Sequence, residues 1–143
     1  MRHKNWSTLQ KDDKLYLLIP IIDEEGIVKY TYQESHVINI HQYDWCTNIR
    51  FKYTDQNGKR QRIELCVNKY KYENLVVSTS KETGWARDTE LKFGDILVSL
   101  YKTHLELILS GIIEKTIEAE NKKIKEIKKT IKNLKKTYAE ITK

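Results

Sequence analysis

The stretch THLELILSGIIEKTIEAENKKIKEIKKTIKNLKKTYAEITK, residues 103–143, decides the architecture. It holds no proline and, after Gly111, no glycine, so nothing in it breaks a helix. Its apolar residues fall at Ile113, Ile117, Ile124, Ile127, Ile131, Leu134, Tyr138 and Ile141. The gaps alternate four and three once Glu120 takes the one polar slot, which is the heptad rule of a supercoiled helix. A helix over 104–142 is roughly 58 Å long, and its isoleucine seam lies in water unless a partner covers it. The spacing therefore predicts one long C-terminal helix over 103–143 that forms a coiled coil along 113–141. The crowded set Leu105, Leu107, Ile108, Leu109 and Ile112 falls out of that phase. Segment 104–112 is expected to pack beneath the preceding domain.

The charge of this helix is polarised. Residues 104–120 carry one Lys and four Glu, a net of −3, and residues 121–143 carry nine Lys and two Glu, a net of +7. Acidic over basic half favours antiparallel self-pairing, because parallel pairing sets Lys123 against the partner's Lys128. A homo-oligomer is expected, with the eight seam residues as its contacts. The lysines at 122, 129 and 136 point away from the seam and need only water.

Residues 1–102 read as a β-rich head, giving an α+β chain whose antiparallel sheet is expected to be a meander of about six strands. Residues 1–13 form an irregular arm or short helix with Trp6 and Leu9 as anchors and Ser7–Gln10 as a capping box. Lys14–Ile22 (KLYLLIPII) reads as a strand buried on both faces, and Pro20 favours an edge or a strand end. After the turn DEEG at 23–26 come strands at Ile27–Tyr32 and Val37–Tyr43. Asn48–Thr54 and Arg60–Val67 alternate cleanly around Asp55-Gln-Asn-Gly-Lys59, with Asn57 and Gly58 supplying positive φ. Further strands are expected at Tyr70–Tyr72, Leu75–Ser80 and within 91–102. Thr103-His-Leu-Glu106 reads as the capping box of a helix starting at His104.

The chain has 143 residues, 32% of them charged, and a formal net charge of +6, which permits polyanion binding. Two cysteines make no disulfide framework, so a reducing, cytoplasmic setting is expected. The N-terminal residues carry no apolar signal region, and no run is long enough to span a membrane.

Catalytic signatures are lacking: there is no GxSxG, P-loop or GxGxxG, and no enzyme activity or cofactor is expected. Asp88-Thr-Glu90-Leu-Lys92 resembles half of a metal-dependent nuclease motif but has no second acidic ligand at a suitable place. His36, His41, Cys46 and Cys66 match no zinc spacing, and His41, on the strand face of Val37, reads as a packed or surface residue. The best candidate surface is the hairpin. Residues 49–72 hold seven basic and two acidic residues, a net of +5. Arg50, Lys52, Arg60 and Arg62 alternate onto the face opposite Ile49, Phe51, Ile63 and Leu65. Arginines there suit phosphate oxygens, and Tyr70, Tyr72, Trp85 and Arg87 would add stacking faces and charge.

The sequence thus supports a non-enzymatic oligomeric binding protein that captures a nucleotide or nucleic acid on a basic sheet face. The alternative is an inhibitor or adaptor that docks on a host protein, with the coiled coil setting valency. A small Lys- and Ile-rich chain without catalytic motifs is similar in style to phage and mobile-element accessory proteins, many of which inhibit or sequester host components. That resemblance is one of composition.

Overall fold

Among the described residues, apolar patterning in the first hundred positions builds seven strands, and the uninterrupted C-terminal stretch builds one helix. The computed structural model describes residues 4–68, 75–80, 86 and 94–142. In order they are β1 (Lys14–Ile22), β2 (Val28–His36), β3 (Asn39–Gln42), β4 (Cys46–Thr54), β5 (Arg60–Asn68), β6 (Val76–Thr79), β7 (Ile96–Ser99) and α1 (Lys102–Ile141). The chain divides into two units, 1–106 and 107–143, so the first five residues of α1 belong to the head. The strand expected at Tyr70–Tyr72 lies outside the described residues.

The chain is α+β, but its strands are not one meander. They form two antiparallel sheets, one of four strands in the order β2-β1-β7-β6 and one of three in the order β3-β4-β5. The expected third strand over Val37–Tyr43 is shorter, Asn39–Gln42, and the second, expected to end at Tyr32, runs on to His36. β2 pairs with β1 over its whole length, the chain then bends, and β3 pairs with β4. Val37 sits at the bend, fully buried; its N–H donates to Asp13 O (2.9 Å) and its carbonyl accepts from Asp12 N–H (2.8 Å). Val37 is thus in the core while His41 is exposed, so the two do not share a face. Beyond β3, the free edge of β4 is taken by side chains of β2. Gln33 bonds both the N–H and the carbonyl of Thr54 (2.8 and 2.6 Å), and the Ser35 hydroxyl donates to Lys52 O (2.7 Å). At the other margin Ala86 bridges to Thr79 of β6 while its N–H donates to Cys66 O of β5 (2.9 Å). The two sheets therefore meet at both margins, leaving fewer unpaired edges.

The core lies between the sheets. Leu15, Leu17 and Ile19 from β1, with Val77, Ile96 and Val98, face Ile49, Phe51, Ile63, Leu65 and Val67. Trp6 and Leu9 close it from the N-terminal arm, at 0% and 4% exposure. The arm turns on Asn5 rather than on Ser7: Asn5 Oδ1 accepts from the N–H groups of Ser7 (2.9 Å) and Thr8 (3.0 Å) and from the Ser7 hydroxyl. The Thr47 hydroxyl donates to the Trp6 carbonyl (2.8 Å), fixing the arm over the start of β4. β1 is buried on its second face too. Leu18, Leu97, Val76 and Leu105 are buried outside the main cluster, and Leu105 comes from the first turn of α1.

Pro20 lies inside β1, and the pairing explains why it is tolerated. Asp23 N–H donates to Ile27 O (3.1 Å), so by alternation Pro20 faces Tyr30 in a non-hydrogen-bonded pair. Its nitrogen points to the side of β7, which pairs only with Tyr16, Leu17 and Leu18. No ladder bond is lost.

Two hairpin turns share one design. In Asp23–Ile27 and Asp55–Lys59 the aspartate Oδ1 accepts the N–H groups two and four residues on, and glycine takes positive φ at the fourth position, +82° at Gly26 and +77° at Gly58. Asn57 has no positive φ, because a single left-handed residue suffices when the Asp side chain closes the loop. α1 begins at Lys102 rather than His104. The Ser99 hydroxyl accepts Tyr101 N–H (3.2 Å) and donates to Tyr101 O (2.7 Å), turning the chain before the helix, and Leu105 N–H donates to Tyr101 O (3.3 Å). No described helix is long and apolar enough to cross a membrane.

Candidate functional site

The period of two along a strand sends alternate side chains to opposite faces, and β4 from Thr47 onward and β5 obey it. Ile49, Phe51 and Tyr53 on β4 and Ile63, Leu65 and Val67 on β5 are buried inward. Outward, the register sets Asn48 against Cys66, Arg50 against Glu64, Lys52 against Arg62 and Thr54 against Arg60. The four cations named from sequence thus share one solvent face, as alternation requires.

They are not equivalent. Arg50 Nη2 lies 3.6 Å from Glu64 Oε2, and Asn48 Nδ2 donates to Glu64 Oε1 (3.0 Å). Part of the Arg50 charge is spent on its neighbour. Lys52 and Arg62 face each other directly, and like charges so placed destabilise a sheet unless something anionic lies between them. Among the described residues no carboxylate pairs with Lys52, Arg60 or Arg62. These three form the uncompensated part of the patch. Tyr70, Tyr72, Trp85 and Arg87 lie outside the described residues.

The structure supplies aromatic surface that the sequence reading passed over. β3 pairs His41 with Asn48 and Asn39 with Arg50, so His41 stands on the same face as the cations. The Tyr43 ring is 4.2 Å from that of His41 and stacks on Trp45 at 6.3 Å with 29° between planes. Tyr43 and Trp45 are 44% and 47% exposed. A signal was available: Tyr43-Asp44-Trp45 places two large rings in a tight turn, where no strand alternation would bury them. From the His41 row to the Arg60 row is six residues along β4, about 20 Å at the rise of a strand. The surface is therefore a strip with stacked rings at one end and free cations at the other. Within it, Asn48 Oδ1 is buried and has no hydrogen-bond donor.

Tyr53, on the inner face, has its phenol pushed up by burial and by the nearby Asp55 carboxylate, and stays neutral. Among the described residues no three His, Cys, Asp or Glu side chains converge as a metal site, and Cys46 and Cys66 are not joined in a disulfide. The Asp88–Lys92 segment lies outside the described residues. Compared with known proteins, the chain matches no family model, no curated protein and no solved structure.

Proposed function

We propose that the head binds single-stranded nucleic acid along the outward face of the three-stranded sheet, and that the helix joins copies of it. The observation that carries this reading is the unneutralised pair Lys52 and Arg62, facing each other on a strip that also bears the exposed Tyr43–Trp45 stack. Phosphates between the two cations relieve their repulsion, and bases stack on the rings without regard to sequence. A strip about 20 Å long is more than one nucleotide reaches, which favours a polymer over a free nucleotide. The reading is of a binding protein with no catalytic step, working in a reducing, cytoplasmic compartment where the two thiols stay reduced.

The test is fluorescence anisotropy of a labelled oligothymidylate of about 12 nucleotides, a length within the usual site size of such modules. Binding is expected at low salt, to weaken as salt rises, and to be lost in Lys52→Glu with Arg62→Glu. Trp45→Ala is expected to weaken it by about tenfold, the value of one stacked base. Unchanged affinity in the charge-reversed protein would remove this face from consideration. Capture of a host protein with no oligonucleotide binding would favour the inhibitor or adaptor reading instead.

A further inference from the structure

Within the second unit, all eight apolar seam residues from Ile113 to Ile141 are 46–77% exposed. Ile117, Ile124, Ile131 and Tyr138 occupy heptad a positions; Ile113, Glu120, Ile127, Leu134 and Ile141 occupy d. Glu114, Asn121, Lys128 and Lys135 flank this seam at e, and Thr116, Lys123, Thr130 and Thr137 at g. The three g threonines donate their hydroxyls back to the carbonyls of Ile112 (2.8 Å), Glu126 (3.0 Å) and Asn133 (3.2 Å). Their polar atoms are satisfied within the helix, leaving methyl groups to extend the apolar stripe.

We propose that a second copy of this chain covers the seam in antiparallel orientation, in the register that sets Ile124 against Ile127 of the partner subunit. Ile117 then meets Leu134 of the partner subunit, and Ile113 meets Tyr138 of the partner subunit. The proposal rests on the self-association half of the reading above and is independent of the hairpin.

Charge decides the orientation. A parallel, in-register pair brings Glu120 beside Glu120 of the partner subunit inside the seam. It also opposes Lys123 to Lys128 of the partner subunit twice and offers no attractive flanking pair. The antiparallel register sets Glu120 against Ile131 of the partner subunit and separates the two Glu120 by eleven residues, about 16 Å. Glu120 keeps its own cation, Lys123, at 3.4 Å on the same helix. Along the e flanks, Glu114 meets Lys135 of the partner subunit twice, and Asn121 meets Lys128 of the partner subunit. Along the g flanks, Thr116 meets Thr137 of the partner subunit, and Lys123 meets Thr130 of the partner subunit. No like charges oppose each other. Sliding by one heptad towards the C-terminus keeps as many layers but sets Lys128 against Lys128 of the partner subunit and loses both Glu–Lys pairs. The helix dipoles are also opposed, which favours the same orientation.

Charge exchange on the full chain tests this, with dimer dissociation constants from sedimentation equilibrium. Lys135→Glu and Glu114→Lys are each expected to weaken the dimer by about tenfold, since each turns two attractive pairs into repulsive ones. The double variant Glu114→Lys with Lys135→Glu is expected to restore it. Both positions are exposed, and helix content from circular dichroism shows that the chain still folds. A double variant no better than the singles overturns the register. Tightening by Lys123→Glu overturns the orientation, because only a parallel dimer gains from it. A chain that stays monomeric at millimolar concentration overturns the proposal altogether.

Discussion

Glu64→Gln is expected to strengthen nucleic-acid binding, which distinguishes a functional strip from an ordinary solvated sheet. Glu64 holds Arg50 at 3.6 Å on the exposed face. Removing its charge frees a fourth cation beside Lys52, Arg60 and Arg62. For single strands each phosphate neutralised contributes about 0.7 to the slope of log affinity against log salt, so three cations give a slope near −2 and four near −2.8. The difference amounts to about fivefold tighter binding at 0.1 M salt, converging at 1 M. Lys52→Gln with Arg62→Gln removes two contacts, flattens the slope to about −0.7 and weakens binding by about 25-fold at 0.1 M. The fold tolerates both changes, since exposed ion pairs contribute little to stability. The assay is the oligothymidylate titration repeated from about 0.05 to 1 M salt, over which the screening length falls several-fold. Equal slopes in wild type, Glu64→Gln and the double variant would refute the placement of phosphates on this strip.

Three further outcomes follow from the geometry. Trp6→Ala removes the largest fully buried side chain and is expected to cost about 3–5 kcal/mol in urea denaturation, with β4 losing the cover of the arm. Tyr32 is held neutral up to about 12, first by burial and then by its hydrogen bond to Glu34 (2.9 Å). A raised phenol pKa adds stability below the unfolded value near 10, which is lost as pH rises towards 12. Tyr32→Phe is expected to flatten the fall of stability over that interval, measured by urea midpoints at each pH; an unchanged pH profile would assign the alkaline loss to Tyr30 or Tyr53, both also raised by burial. Ile124→Asp with Ile131→Asp places charges in the seam and is expected to halve the mass seen in light scattering; persistence of the larger mass would move the interface to the head.

The hairpin shows what local sequence determines. Asp55-Gln-Asn-Gly-Lys59 closes its turn by its own side chain, and alternation on either side sends cations and apolar residues to opposite faces without help from the rest of the chain. The long helix was legible for the same reason, since period and breakers are properties of short windows. Segment 91–102 fitted either a strand or an early start of the helix, because Ile96–Ser99 is buried at every residue and shows no alternation. The bend at Val37 was not legible. Nothing local distinguishes a strand that continues from one that changes sheets, and the bend is fixed by bonds to Asp12, Asp13 and, through Ile38 N–H, to Arg50 O (2.8 Å). The aromatic end of the strip carried a local signal in the turn Tyr43-Asp44-Trp45, but its place beside the cations depends on β3 pairing with β4.

By itself, then, the sequence determined that the chain is α+β, that its last forty residues make one helix with an apolar seam, and that the hairpin turns four cations outwards. Tertiary structure decided which of those cations remain uncompensated. Glu64 lies opposite Arg50 only because β4 and β5 pair in this register, and Lys52 is left facing Arg62 by the same pairing. Tertiary structure also decided that the described strands form two sheets joined at both margins rather than one meander. The physical reason is common to both. Side-chain alternation has a period of two residues and can be read within a strand, whereas the partner across the ladder is chosen by burial of the whole core.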